Sequence, residues 1–178
     1  MTYILRDYIF EKDLPYFHMV HSDFESVKYY GMAPSTSINE SMRLLESYIS
    51  SMRDGQSLHK VICSSDNNEY CGEIGLFGIN EKHRRANSYC ILLPQYRKKG
   101  ISKAISDEFY KKIFSSTFIN RIQAFVDSRN INAKSSLTGI GYSYEGRLGQ
   151  FEFENDEFID IDVYALLKSD YESRKRNI

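Results

Sequence analysis

Cys90-Ile-Leu-Leu-Pro-Gln-Tyr-Arg-Lys-Lys-Gly-Ile-Ser-Lys-Ala104 is the stretch that decides how the chain is read. An apolar run stops at Pro94, a cationic turn of Arg97, Lys98 and Lys99 follows, and Gly100 stands where a helical pattern of Ile101, Ala104, Ile105 and Phe109 begins. This layout predicts a strand feeding a helix through an anion-binding turn. The first N–H groups of a helix have no intrahelical acceptor, and the aligned peptide dipoles leave partial positive charge there. Gly100 lets the main chain approach an anion without a Cβ in the way. The amides of Ile101, Ser102 and Lys103 continue the cradle, and Arg97, Lys98 and Lys99 add charge to it. A phosphate fits such a turn; a merely solvated basic turn is the plainer alternative.

With 178 residues the chain is most simply one domain able to bury a single core without metals or disulfides. Its formal net charge of −1 gives no general basic field for nucleic acid, so the cluster at 97–99 is local and better suited to a small anion. No run is apolar enough to suggest a bilayer span, and the start Met1-Thr-Tyr-Ile-Leu-Arg-Asp7 lacks the layout of a signal peptide, so a cytoplasmic place without membrane partners is expected. Cys63, Cys71 and Cys90 show no C-x-x-C spacing and read as small hydrophobes. The histidines, His18, His21, His59 and His83, make no zinc-protease pattern, so no metal site is expected.

Around the phosphate turn the periodicities give a strand at Tyr3–Arg6 and a helix from about Glu11 to His21, with Leu14, Phe17 and Val20 on one face. Ser37-Ile-Asn-Glu40 has the form of a capping box opening a second helix, which Gly55 ends. Leu58–Ser64 and Tyr70–Ile79 form a strand pair, Ala86–Leu93 the next strand, and a long helix runs from Gly100 to about Phe114. Arg121–Val126 is a strand, 130–138 a short helix, and Tyr144–Phe153 with Phe158–Leu167 a final hairpin. The order β-α-α-β-β-β-α-β-α-β-β predicts an α/β (α+β) fold, a mixed sheet with helices on both faces. Residues 1–168 form the expected domain, followed by a basic tail at 169–178 that is solvated from Ser173 to Ile178.

Arg97-x-x-Gly100-x-Ser102 resembles the pyrophosphate-binding signature of the GNAT superfamily of N-acetyltransferases, with Ser102 where Gly or Ala is usual and Lys98 where glycine is frequent. The element order also resembles the GNAT fold over nearly the whole chain. Leu5-Arg6, Cys71-Gly72-Glu73-Ile74-Gly75-Leu76, Arg84-Arg85-Ala86, Asn130-Ile-Asn-Ala133, Gly141-Tyr142 and Glu145-Gly146-Arg147 make the likeness greatest to the RimJ/RimL-like and spermidine acetyltransferase branch.

That resemblance implies acetyl-CoA as cosubstrate and a primary amine, on a small molecule or a protein N-terminus, attacking the thioester directly. It implies a sheet splayed between the fourth and fifth strands, with main-chain groups of Ile91 and Leu92 on the pantetheine. Asn130 is either a further cofactor contact or a helix N-cap. The family's usual thiolate acids fall on Leu137 and Ala133, which leaves a hydroxyl such as Ser135, Ser136 or Tyr142, or water. The glutamate often found on the fourth strand is here Asn87, which cannot take a proton. Glu73 on the third strand is the substitute base, its plainer reading being a solvent-facing carboxylate. Phe24, Tyr29, Tyr30, Phe151, Phe153 and Phe158, interleaved with Glu152, Glu154, Asp156 and Glu157, could rim the acceptor site, although most of those aromatics read as core. The missing acids keep one alternative open, a non-catalytic acyl-CoA sensor or scaffold. A homodimer is a further expectation of the branch.

Overall fold

The computed structural model describes residues 2–176. One seven-stranded sheet in the order β1-β2-β3-β4-β5-β7-β6 forms its centre. The strands are β1 (Tyr3–Arg6), β2 (Leu58–Ser64), β3 (Tyr70–Asn80), β4 (Arg85–Leu92), β5 (Arg121–Asp127), β6 (Ser143–Glu154) and β7 (Glu157–Leu167). Every pairing is antiparallel except β4 with β5, which is parallel. The helices are α1 (Phe10–His21), α2 (Phe24–Val27), α3 (Ile38–Arg53), α4 (Ile101–Ser116), α5 (Ile131–Ile140) and α6 (Lys168–Arg176).

Strand alternation sorts the layers. His59 of β2 and Phe77 of β3 border a cavity with α1 and α3, whereas Leu58 and Lys60 border a groove with α4, so the two helix sets cover opposite faces. α4 lays Ile101, Ile105, Phe109 and Ile113 against the sheet, all buried, at a strict four-residue spacing that burial of ~2 kcal/mol per side chain makes decisive. Ala104 falls off that stripe and is exposed.

The capping box forms with one shift. The Ser37 hydroxyl accepts from the Glu40 amide, but the Glu40 carboxylate reaches back to the Thr36 amide at 2.7 Å. In α1 the apolar face of Phe17 and Val20 is completed by two polar residues, Asp13 and His21, both buried. Asp13 accepts from both terminal nitrogens of Arg6, at 2.6 and 2.7 Å, and from the Ile9 amide at 2.7 Å, closing the start of α1 onto β1.

The stretch from 169, expected to be a tail outside the domain, is helical over the described residues: α6 begins at Lys168 and continues to Arg176, with Ser173 and Arg174 exposed as expected. Its Tyr171 is buried beside Phe114, ring centroids 5.4 Å apart, and donates to the Asp107 carbonyl at 3.0 Å. The remaining tail residues, 177 and 178, lie outside the described residues. The aromatics of the last hairpin also differ from expectation: Phe151, Phe153 and Phe158 are exposed, not core.

Removing the Asp13 carboxylate leaves Arg6 and the Ile9 amide without their acceptor. Asp13→Ala should cost about 3 kcal/mol of stability, read from urea unfolding, whereas Lys60→Ala, which breaks an exposed pair with Asp7, should cost less than ~1 kcal/mol.

Candidate active site

β4 and β5 pair over Arg85–Asn87 and 121–123 only, and then diverge. Leu93 donates its amide to the Cys71 carbonyl at 3.0 Å, so by strand alternation Ile91 also directs its peptide groups toward β3, while Cys90 and Leu92 direct theirs into the gap. Two carbonyls in the gap are taken by side chains: the Tyr30 hydroxyl donates to Cys90 O at 2.6 Å, and Arg97 Nε donates to Leu92 O at 3.0 Å. The Cys90 and Leu92 amides point into the same gap, beyond the last residue of β4 that pairs with β5. Of the two residues expected to bind pantetheine by their main chain, Leu92 is therefore placed to do so and Ile91 is not. Ile91 forms part of the cavity wall on the α1/α3 face instead.

At the end of β4 the chain makes a short 3-10 turn, Pro94–Tyr96, and then the basic turn. Lys98 has φ +58° and Gly100 φ +73°, both left-handed, which is the physical reason glycine suits position 98. The Arg97 amide bonds Pro94 O at 3.2 Å and the Ala104 amide bonds Gly100 O at 3.1 Å. Between them the amides of residues 98–103 have no acceptor among the described residues. Lys98 and Lys99 are exposed. The turn is thus a concave row of free N–H groups at the mouth of the β4/β5 gap, with full positive charge beside it.

Arg97 does not share in that charge as expected. Its guanidinium turns inward to Asp23 Oδ2 at 3.2 Å and to the Ser26 hydroxyl, joining the turn to α2. The Ser26 hydrogen bond, reinforced by Arg97, holds the Asp23 carboxyl below its ordinary range.

α4 and α5 flank the gap on the second face. Ser102 and Ser136 bring their hydroxyls to 3.4 Å there. Asn130 caps α5, its Oδ1 accepting from the Ala133 amide at 3.0 Å, which leaves its Nδ2 for other partners. A chain of hydroxyls that no sequence pattern announced crosses the base of the gap: Ser88 Oγ lies 2.9 Å from Tyr142 Oη, which donates to Tyr110 Oη at 2.8 Å. Burial pushes the Tyr142 phenol well above its ordinary range, so it stays protonated. Burial likewise raises the Cys90 thiol, to about 11.

On the first face, bounded by α1, α2, α3 and the strands β2, β3 and β4, lies a cavity of about 470 Å³. Val27, Tyr30, Met32, Leu44, Tyr48 and Phe77 give it an apolar, aromatic wall, and among the described residues no Asp, Glu, Lys or Arg borders it. His59 borders it as a neutral ring, because burial lowers its pKa to about 4, and it holds Tyr89 Oη at 2.8 Å.

Glu73 lies behind this cavity and does not border it. Its carboxylate is fully buried, with Oε1 2.6 Å from His21 Nε2 and Oε2 accepting from the Tyr8 hydroxyl. It is neither solvent-facing nor free to meet an amine itself, since both oxygens are engaged. Asn87, at the position of the family's glutamate, is engaged within the sheet: its Oδ1 accepts from Gln123 Nε2 at 2.9 Å, a strut across the last paired rung of β4 and β5.

Residues 3–143 match the acetyltransferase (GNAT) domain family. The chain belongs to that family. It is 26% identical to the uncharacterized N-acetyltransferase YoaA of Bacillus subtilis over 165 residues, 93% of each protein. It is also 26% identical to spermidine N(1)-acetyltransferase of Escherichia coli over 147 residues, 83% of this chain and 76% of that one. Among solved structures, spermidine N-acetyltransferase of Vibrio cholerae in complex with CoA and spermine superposes with a TM-score of 0.84 at 24% identity, over 95% of this chain and 97% of that one. RimL, a ribosomal alpha-N-protein acetyltransferase in complex with coenzyme A, superposes with a TM-score of 0.85 at 19% identity, over 94% of each. This GNAT protein is accordingly an acetyl-CoA-dependent N-acetyltransferase, and the reading as a non-catalytic sensor gives way. The free amides at 98–103 fit the diphosphate of the cosubstrate, and those of Cys90 and Leu92 fit its amide-bearing arm.

A Cβ at Gly100 would meet nothing within 4 Å, so Gly100→Ala loses stability only through its positive φ, by about 1 kcal/mol, while placing a methyl group in the open space beside the turn that a diphosphate would share. CoA affinity measured by calorimetry should fall at least about tenfold. Lys98→Gly should have the opposite sign in thermal unfolding, gaining up to ~1 kcal/mol. Because the His59 pKa is depressed in the fold, the unfolded chain takes up a proton before the folded one does. Stability should therefore fall as pH drops from 6.5 toward 4, and urea titrations of His59→Gln should lack that part of the decline.

Proposed function

We propose that the acceptor is a primary amine carried on an apolar or aromatic body, which enters the cavity between α1, α2, α3 and β4 and meets the thioester at the gap beside Tyr30. The composition of the cavity wall carries this reading. A polyamine brings further ammonium groups, and each one left unpaired in this uncharged space would cost several kcal/mol. A single ammonium can be deprotonated on entry and leaves no charge behind, while rings such as Tyr48 and Phe77 gain contact with an apolar body. The relatives that act on spermidine therefore indicate the branch and the cosubstrate better than they indicate this acceptor.

Within that reading, the amides of Leu92, Gly100, Ile101, Ser102 and Lys103 bind the cosubstrate, with Lys98, Lys99 and the free side of Asn130 contributing from the rim. An N–H fixed toward the thioester oxygen lowers the barrier by about 3 kcal/mol, and the Leu92 amide is our assignment for it. Ser136 at the gap, or Ser88 backed by Tyr142 and Tyr110, supplies a proton to the departing thiolate. Because a thiol titrates at ~8.5, this help is worth less than the oxyanion contact.

Carboxylates bear on the entrance from the β6/β7 hairpin, where a Cβ on Gly31 would stand 3.2 Å from Glu154 Oε1. They can draw a cationic amine toward the cavity without lining it. We place the enzyme in the RimJ/RimL-like and spermidine acetyltransferase branch and in the cytoplasm. Neither nucleic acid nor membrane is a partner in this reading. The net charge is −1, and no helix among the described residues is long and apolar enough to cross a membrane. The exposed rings of Phe151, Phe153 and Phe158 support a homodimer.

Thiol release from acetyl-CoA, followed with a chromogenic disulfide, tests the acceptor class. A panel of arylalkylamines, spermidine and an alanine-initiated peptide should rank the arylalkylamines first by at least about tenfold in kcat/KM; spermidine or the peptide in first place would overturn the assignment.

A further inference from the structure

His21 ends α1 at the cavity wall and is 3% exposed. Its Nε2 stands 2.6 Å from Glu73 Oε1; in the neutral tautomer that donates from Nε2 to that carboxylate, Nδ1 keeps the lone pair. The ring stacks on Phe17 with centroids 4.0 Å apart and meets the Tyr48 ring edge-on at 6.2 Å, which fixes its plane. Nδ1 has no hydrogen-bond partner and no contact with bulk water. A buried lone pair without a donor costs about 1–3 kcal/mol. The ring borders the cavity, so a small in-plane shift that opens Nδ1 to it lets a bound molecule supply that donor.

We propose that His21 is the general base of the transfer, accepting a proton at Nδ1 from the acceptor ammonium, and that Glu73 is its positioning residue. The proposal rests on the cavity being the acceptor site. The ammonium passes one proton to His21, and the resulting imidazolium is held by the Glu73 carboxylate. The neutral amine nitrogen attacks the thioester carbon; the C–N bond forms, the C–S bond breaks, and the second nitrogen proton ends on the thiolate. His21 releases its proton to water as the amide leaves. The other titratable groups that feel Glu73 are the phenols of Tyr8 before α1, Tyr30 after α2, Tyr48 on α3, Tyr70 on β3 and Tyr89 on β4, the Cys90 thiol on β4 and the imidazole of His59 on β2. Burial keeps all of these neutral, so Glu73 is the charge that His21 meets. Glu73 thereby takes part in catalysis through His21, not by touching the amine.

The test compares kcat/KM of His21→Gln and Glu73→Gln with the unchanged enzyme between pH 7 and pH 10, using whichever amine the latter acetylates best. A base is needed only while the amine is protonated, and alkylammonium groups titrate near ~10. At pH 7 His21→Gln should be at least about 100-fold slower, and that deficit should shrink to a few-fold near pH 10, with acetyl-CoA affinity unchanged. Glu73→Gln, which keeps a partner for Nε2, should show a smaller deficit that closes in the same way and serves as the test if His21→Gln does not fold. A deficit constant with pH, or none, overturns the proposal. The acceptor reading fails separately, on the amine ranking of the unchanged enzyme.

Discussion

The arrangement depends on a shortage of partners along one strand. β4 is bonded to β3 along most of its length, yet it shares only its first three residues with β5. Beyond Asn87 its second edge is a row of peptide groups without a strand partner, each of which costs the fold stability where it stays unsatisfied. Tyr30 and Arg97 cover two of the carbonyls, and the amides next to them point into the same gap. The Asn87–Gln123 strut and the Ser88–Tyr142–Tyr110 hydroxyls keep the divergence at a fixed place. An unsatisfied N–H held on a rigid strand is costly in the empty protein and correspondingly favourable toward a ligand with carbonyl groups.

The two mouths of this opening differ in polarity. One carries free amides and lysines, the other phenols, a neutral imidazole and aliphatic side chains. The cosubstrate can therefore keep its phosphates in water and charge while its reacting end enters a dry region. There a fixed dipole acts with little screening, and a neutral amine is a better guest than an ammonium.

The sequence was informative where the chemistry is local. Gly100, the basic residues before it and the apolar spacing of α4 lie within one strand–turn–helix unit, so their pattern carries the turn, and the capping residues Ser37 and Asn130 need only a neighbour three positions on. Side-chain partners distant in sequence were not legible. Nothing near Glu73 announces His21, 52 positions earlier, and Ile91 could be distinguished from Leu92 only through the register with β3. α6 escaped because most of its residues are polar and it docks largely through Tyr171, while α2 spans a single turn. The hairpin aromatics read as core because hydrophobicity alone cannot say which side of an end strand is covered.

Arg97 belongs to both halves of the molecule. Through its main chain it opens the phosphate turn, and through its side chain it grips Asp23 and Ser26 at the start of α2, whose Val27 borders the opposite cavity. Thermodynamic linkage follows from such a shared tether. If occupancy of the phosphate turn displaces Arg97, the affinity of the cavity for its guest changes by some factor, and the guest must alter cosubstrate affinity by that same factor. Such coupling would run through a single guanidinium on the surface between the two sites.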